Sequence, residues 1–142
     1  YLVPIFKSIG VELIEQPFPS NKDYLLKNLD RKIPICADES CHDVKSLEKL
    51  IGLYDYINIK LDKTGGLTEA INLLQAAKKS GFKIMLGCMV GTSLAMAPAL
   101  LLSGECDIVD LDGPLLLKKD RPNPIRYDNF LAFPISEGLW GV

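Results

Sequence analysis

Histidine and clustered cysteine are scarce in this chain, and their scarcity narrows the chemistry that it can support. The sequence has one histidine and four cysteines, none of them in a CxxC pair, so the soft ligand set that zinc prefers is missing. With neither a disulfide spacing nor a secretory signal, we expect reduced thiols in a cytoplasmic protein. The GxxxxGKS/T pattern of a phosphate-binding loop is also absent.

Excess positive charge and long apolar runs are missing as well. Lys and Arg number 16 against 18 Asp and Glu, with no basic run, so no nucleic-acid surface is expected. The longest apolar stretch, at residues 94–102, is too short to cross a membrane. Hydrophobic residues make up 48% of the 142 residues, which is typical of one globular domain with a buried core.

Strand and helix patterns alternate along the chain. Five β-rich segments bounded by Gly, Pro or charged residues are predicted to be strands: 11–16, 33–38, 56–60, 82–87 and 107–112. Helical patterns fill the gaps at 23–30, 42–51, 68–79 and 92–103. This alternation indicates right-handed crossovers and an α/β protein with a parallel sheet.

Two architectures fit this order, an open doubly wound sheet and a β/α barrel of the TIM type. A complete barrel has eight units and about 250 residues, so five strands would be a portion of one. Residues 1–117 are predicted to form this partial barrel. Residues 118–142 show no clear periodicity and are predicted to be a C-terminal tail.

Charged side chains end four of the five predicted strands, and their position favours the barrel. They are Glu15, Asp38, Lys60 and the pair Asp110 and Asp112. The carboxyl ends of parallel strands form the active face of such proteins, and neighbouring strands lie about 4.8 Å apart. We therefore expect Glu15 and Asp38 to point at one cation, with Lys60 beside them.

Each of these residues also has an ordinary structural interpretation. A single Glu or Asp at a strand end is often a helix cap or a salt-bridge partner. Lys60 could be an exposed lysine, and Lys63 competes with it for any role. Taken together, the strand-end charges lie on one face at near-constant spacing, which favours a functional role over these structural ones.

Five motifs lie at or near the predicted strand ends: VELIEQP at 11–17, ADES at 37–40, NIKLDKTGG at 58–66, GCM at 87–89 and DLDGP at 110–114. Together they resemble the enolase superfamily, and within it the dipeptide epimerases of the muconate-lactonizing subgroup. The resemblance implies a (β/α)₇β barrel with an N-terminal capping domain, of which this chain carries strands four to eight. The capping domain and the first three strands are then expected upstream of Tyr1, and the tail is expected to pack toward the capping domain.

The resemblance also implies roles for individual residues. Glu15 and Asp38 would ligate Mg²⁺, and Lys60 would be one of two acid/base lysines. Asp110 and Asp112 would hold the α-ammonium group of the substrate. The third metal ligand and the second lysine have no match in this chain, so the fragment alone is expected to be inactive.

Two further positions bear on the substrate. Cys88 lies on the same predicted face and is expected to line the substrate site, since no neighbouring base is placed to make it a nucleophile. Gly91 stands near the place where many relatives carry a Glu, which leaves the detail of the substrate open.

The chemistry of this set is coherent. A hydrogen α to a carboxylate is weakly acidic, and a divalent ion stabilises the enediolate that its removal creates. Oxygen ligands suit Mg²⁺, and a partly desolvated lysine near a cation is expected to have a lowered pKa. Proton removal and return on opposite faces would epimerise a dipeptide such as L-Ala-D/L-Glu.

Other functions remain open at this stage. A muconate cycloisomerase or o-succinylbenzoate synthase acts on substrates without an ammonium group, so Asp110 and Asp112 would matter little to it. A non-catalytic α/β module would fold alone as a stable monomer. Because five strands leave two unpaired edges, we expect the chain to need an upstream segment or contacts with a second copy.

Overall fold

A single parallel sheet organises the computed structural model, which describes residues 2–29 and 31–140. Its strands are β1 (Ile14–Glu15), β2 (Ile35–Ala37), β3 (Tyr56–Ile59), β4 (Lys83–Leu86) and β5 (Ile108–Val109). They lie side by side in chain order, and every neighbouring pair is parallel. The five predicted parallel strands are therefore present, each shorter than its apolar pattern because the flanking residues leave the sheet.

Helices connect the strands. The α-helices are α1 (Val3–Ser8), α2 (Leu47–Leu50), α3 (Leu61–Thr64), α4 (Leu67–Lys79) and α5 (Ser93–Leu100). Shorter 3₁₀ segments lie at Ser20–Asn28, Val44–Ser46, Ser103–Glu105 and Gly113–Leu116. Neither α1 nor α3 was expected from the sequence.

The α-helix predicted at 23–30 is wrong in type. The segment is a 3₁₀ helix with non-helical dihedral angles at Lys22, and Leu26 is its one buried residue. A single buried side chain supplies no apolar stripe to support a regular α-helix. The last predicted residue, Asp30, lies outside the described residues, as do Tyr1 and the final two residues of the predicted tail.

The two faces of the sheet differ in chemistry. Alternate strand residues such as Ile35, Ile57 and Ile84 join the hydrophobic core with the helices. The residues between them point to the opposite face. There the Sγ of Cys36 lies 4.0 Å from the Sδ of Met85. The alternation therefore places the strand-end polar residues away from the helix layer.

Large apolar side chains remain exposed beside both edges of the sheet. Leu2, which lines a cavity with Ile14 of β1, is 59% exposed, and Phe130, which lines a cavity with Val109 of β5, is fully exposed. Exposed apolar surface of this kind marks a contact region. It fits the expectation that the sheet is completed by further protein.

The predicted tail at 118–142, which shows no clear periodicity in the sequence, contains an antiparallel hairpin. Strands β6 (Tyr127–Asp128) and β7 (Leu131–Ala132) pair across a turn in which Asn129 has a φ of 51°. Asn adopts this left-handed conformation more readily than most residues, so Asn129 was a signal in the sequence from which the turn could have been predicted. The prediction that the tail packs toward a capping domain stays a prediction.

Buried Ser93 anchors the tail to α5. Its hydroxyl donates to Asp120 and accepts from the Ile125 N–H at 2.9 Å, while its own N–H donates to Asp120 Oδ1 at 3.0 Å. Farther along, Tyr127 donates to the Leu111 carbonyl at 2.7 Å. These bonds hold the segment after residue 118 against the end of the barrel portion.

Replacing Ser93 with alanine is expected to lower the free energy of unfolding by about 1–3 kcal/mol, because the buried Ile125 N–H loses its acceptor. Burial acts to raise the pKa of Asp120, but the Ser93 hydrogen bonds outweigh it and lower that pKa below the usual 3.8. A lowered carboxyl pKa stabilises the folded state above the unfolded value, and this contribution is lost as pH falls through the folded value.

The difference between wild type and Ser93→Ala should therefore be largest above pH 3.8 and shrink below it. Urea unfolding at a series of pH values measures this difference, with exposed Ser136→Ala as the matched control. A difference that grows toward low pH would contradict the prediction.

Candidate active site

Glu15 and Asp38 meet at the carboxyl end of the sheet. Glu15 is the last residue of β1 and pairs with Cys36 of β2, and Asp38 follows directly after β2. Burial raises the pKa of Glu15; a hydrogen bond from Asn58 opposes this, and the nearby Asp38 carboxylate raises it further. The two carboxylates are thus close enough to repel each other, and their sharing of one cation stays a prediction.

Lys60 contacts the same carboxylate. It follows β3, and its Nζ donates to Asp38 Oδ2 at 2.5 Å. Burial acts to lower the pKa of Lys60, but the hydrogen bond and charge of Asp38 outweigh burial and raise it. The sequence led us to expect a lowered pKa for Lys60, but its ion pair with Asp38 raises that pKa. A positive charge that offsets the Asp38 carboxylate is needed to lower the pKa of Lys60.

Lys63 also binds Asp38, but it makes more hydrogen bonds than Lys60 does. Its Nζ donates to Asp38 Oδ1 at 2.7 Å, to the Asp38 carbonyl at 2.6 Å and to the Asn58 carbonyl at 2.9 Å. An ammonium group has three N–H donors, so these three acceptors use all of them. Burial acts to raise the pKa of Asp38, but its hydrogen bonds to Lys60 and Lys63 lower it.

Asp110, Asp112 and Cys88 form a second group after β4 and β5. Burial and the adjacent Asp112 carboxylate raise the pKa of Asp110, while the charge of Lys60 lowers it. Burial also raises the pKa of the Cys88 thiol, with opposing effects from the Gly113 N–H and from Lys60. Lys60 therefore lies within electrostatic range of this second group, and the structure brings all six predicted residues to one end of the sheet.

Asn58 is a site residue that sequence reasoning missed. It is 1% exposed, and its Nδ2 donates to Glu15 Oε1 at 2.5 Å, reaching across β2. Its Oδ1 is buried and has no hydrogen-bond partner among the described residues. The side chain fills the space beside Gly87, where an added Cβ would lie 2.4 Å from Asn58 Oδ1. The available signal was a polar residue inside an apolar strand, two positions before Lys60.

The donor set fits a hard divalent cation, although the described residues bring only two carboxylates, Glu15 and Asp38, to the proposed metal position. Among residues 2–29 and 31–140, no group of three or more His, Cys, Asp or Glu side chains is arranged to hold a metal. Glu15 and Asp38 supply two carboxylates whose mutual repulsion a cation would relieve. Such oxygen ligands suit Mg²⁺, which is commonly held by only one or two protein carboxylates.

The fold agrees with comparisons to known proteins. The family model described as enolase C-terminal domain-like matches residues 2–131. The chain therefore belongs to the enolase C-terminal domain-like family. The match confirms the predicted family and, with the five-stranded parallel sheet, the predicted partial barrel.

Three relatives show the kind of enzyme that this chain resembles. N-acetyl-D-glutamate racemase from Pseudoalteromonas is 54% identical over 98% of this chain, and L-Ala-D/L-Glu epimerase from Escherichia coli is 49% identical over 82%. A crystal structure from Agrobacterium tumefaciens of an enolase family member with homology to dipeptide epimerases, with bound sodium and L-Ala-L-Glu, superposes with a TM-score of 0.95 at 48% identity. That superposition covers 99% of this chain and 43% of the other.

The chain is short relative to these proteins. It spans 44% and 36% of the two curated relatives. Within the part of the chain that the structure describes, no helix has both the length and the apolar character needed to cross a membrane.

Proposed function

We propose that the full-length protein is a Mg²⁺-dependent isomerase that inverts the α-carbon of the C-terminal residue in dipeptides of the L-Ala-D/L-Glu type. The observation that carries this proposal is the direct contact of Lys60 with Asp38, beside Glu15. A general base must lie within hydrogen-bond reach of the centre where charge and proton change, and this cluster places a lysine next to the proposed cation ligands.

In this proposal the described residues have separate tasks. Glu15 and Asp38 hold the cation, which when bound stabilises negative charge on the substrate carboxylate. Lys60 removes or returns the α-proton from one face, and Lys63 fixes the Asp38 carboxylate without a free N–H of its own. The second base and the third ligand come from protein beyond these residues, or from contacts with another copy.

Asp110 and Asp112 are the residues proposed to bind the amino terminus of the substrate. The Asp112 carboxylate lies close enough to raise the pKa of Asp110, which is the arrangement that an ammonium group would stabilise. A dipeptide with a free amino terminus offers such a group. Cys88, beside Gly113 and within reach of both charges, lines the same end of the site.

A second candidate is racemisation of an N-acylated glutamate without an ammonium group. It is favoured by the 54% identity to an N-acetyl-D-glutamate racemase. The reaction at the α-carbon would be the same, and only the use of Asp110 and Asp112 would differ.

Replacing both Asp110 and Asp112 with asparagine should separate the two candidates. We expect kcat/KM for L-Ala-L-Glu to fall by about 10–100-fold, because two charge-assisted hydrogen bonds to the ammonium group are weakened. Activity on N-acetylglutamate should change little. The measurement is α-hydrogen exchange in deuterated water, with and without Mg²⁺.

Asp128→Asn on the exposed hairpin is the matched control for this pair. Equal losses on both substrates would contradict an ammonium-binding role. Activity of the wild type on N-acetylglutamate alone would favour the second candidate, and no exchange on either substrate with Mg²⁺ present would overturn the proposed function.

We also propose a cytoplasmic location and small-molecule substrates without nucleic-acid partners. All four cysteines are free thiols, as expected in a reducing compartment. The near balance of 16 basic and 18 acidic residues gives no surface of the kind that nucleic acids attract.

A further inference from the structure

Gln16, between Glu15 and Pro17, holds a backbone conformation that few residues adopt. Its φ is 37°, in the left-handed region. The other described non-glycine residues with positive φ are Asn123 and Asn129, and asparagine tolerates this region much better than glutamine does. Strain of this kind persists where surrounding contacts enforce it, commonly at functional sites.

The contacts that enforce it join the loop after β1 to the loop after β2. Gln16 Oε1 accepts from the Asp38 N–H at 2.8 Å and from the Ser40 N–H at 3.3 Å. Its Nε2 donates to the Phe18 carbonyl at 2.8 Å, and its backbone N–H donates to the Cys36 carbonyl at 2.9 Å. The Gln16 side chain thus links the chain next to Glu15 with the backbone of Asp38.

A second layer of hydrogen bonds fixes the amide of Gln16. Its Nε2 also lies 2.9 Å from Ser40 Oγ and 3.0 Å from the Tyr54 hydroxyl. Both hydroxyls donate to Asp23 Oδ1, at 2.9 and 2.7 Å. Each hydroxyl donates to Asp23, so its oxygen is left to accept from Gln16. The two oxygens share the one Nε2 N–H that the Phe18 carbonyl does not use, which sets the direction of the amide.

We propose that Gln16 is a positioning residue that sets the spacing and direction of the Glu15 and Asp38 carboxylates for a shared cation. Gln16 acts on the backbone of both ligands. Its strained peptide fixes the orientation of the neighbouring Glu15, and its side-chain amide oxygen accepts a hydrogen bond from the backbone N–H of Asp38. This inference rests on the proposed function, since it assumes that the two carboxylates ligate Mg²⁺. Residues that orient metal ligands commonly change metal affinity 10–100-fold when replaced, on the order of the effect expected here.

Two substitutions separate the amide from the backbone strain. Gln16→Met keeps the side-chain length but removes the amide, and Gln16→Gly removes the amide while accepting a φ of 37° without strain. Both are expected to weaken Mg²⁺ binding by about 10–100-fold in calorimetric titration of the full-length protein. Gln75→Met, at an exposed position of α4, is the matched control and should bind as the wild type does.

Hydrogen exchange in the presence of a chelator gives a readout independent of metal and activity. The amides of Asp38 and Ser40 should exchange faster in both Gln16 variants and not in Gln75→Met. Should the Gln16 variants fail to fold, Tyr54→Phe removes one anchor of the same amide and is expected to weaken Mg²⁺ binding by about 2–10-fold. Wild-type affinity in that variant would then count against the proposal.

The outcomes are distinct. Wild-type Mg²⁺ affinity in both Gln16 variants would overturn the positioning role while leaving the proposed function intact. Wild-type affinity in Gln16→Gly together with a loss in Gln16→Met would show that the side-chain amide is not needed and would also overturn it. A wild-type protein that binds no Mg²⁺ would instead reject the proposed function on which this role depends.

Discussion

Replacing Lys60 with methionine is expected to lower kcat for epimerisation by about 10²–10⁴-fold, the range typical for loss of a general acid or base. Lys60 is the described ammonium group that touches the proposed ligand Asp38 while keeping N–H groups free for substrate. Mg²⁺ binding should not weaken, because the substitution removes a positive charge beside Asp38. Solvent deuterium exchange, followed separately for the two epimers of the substrate, measures the effect.

The exchange data have a further diagnostic feature. A base on one face serves one epimer, so Lys60→Met should abolish exchange of that epimer more strongly than exchange of the other. Lys79→Met, exposed at the end of α4, is the matched control. Undiminished turnover by Lys60→Met would contradict the assignment and make Lys63 the next candidate, despite its three hydrogen bonds.

Replacing Asp38 with asparagine is expected to lower the free energy of unfolding by roughly 3–5 kcal/mol in the absence of Mg²⁺. The side chains of Asp38, Lys60 and Lys63 are only 11%, 14% and 10% exposed. Removing the shared carboxylate charge therefore leaves two close ammonium groups without their counter-ion in a poorly solvated place. Urea unfolding of the full-length protein with a chelator present measures the loss.

An exposed ion pair provides the comparison for this prediction. Glu105 binds Lys78 at 2.5 Å, but their side chains are 67% and 40% exposed. Ion pairs as exposed as this one contribute little to stability, so Glu105→Gln should have little effect on the free energy of unfolding. Equal, small losses in both variants would contradict the view that Asp38 neutralises the two lysines in the folded protein.

The sequence predicted the sheet because its strands are short β-rich runs with clear breaks. The strand-end charges Glu15, Asp38 and Lys60 were found for the same reason: parallel strands bring their carboxyl ends to one edge, whatever the intervening helices look like. The 3₁₀ segment at Ser20–Asn28 and the hairpin after residue 118 were missed because local turn chemistry and a single buried leucine decide them, and neither produces a long periodic pattern.

The hydrogen bonds of the site depend on tertiary contact, which the sequence did not reveal. Asn58 reaches Glu15 across an intervening strand, 43 positions away in the chain, and Gln16 reaches Asp38 across 22. The pKa of Lys60 depends on the balance between burial and one ion pair, so its direction required the actual geometry. Residue types at strand ends therefore predicted which side chains come together at one end of the sheet, but not the hydrogen bonds that hold them.

Crystals of the full-length protein grown with Mn²⁺ in place of Mg²⁺ would test the shared cation site most directly, by anomalous scattering. We expect one ion with an oxygen of Glu15 and an oxygen of Asp38 as ligands, at about the 2.0–2.2 Å spacing typical of small divalent cations, and with Lys60 displaced from Asp38 toward the substrate. An ion bound elsewhere, with both lysines still on Asp38 and no density between the two carboxylates, would contradict the account.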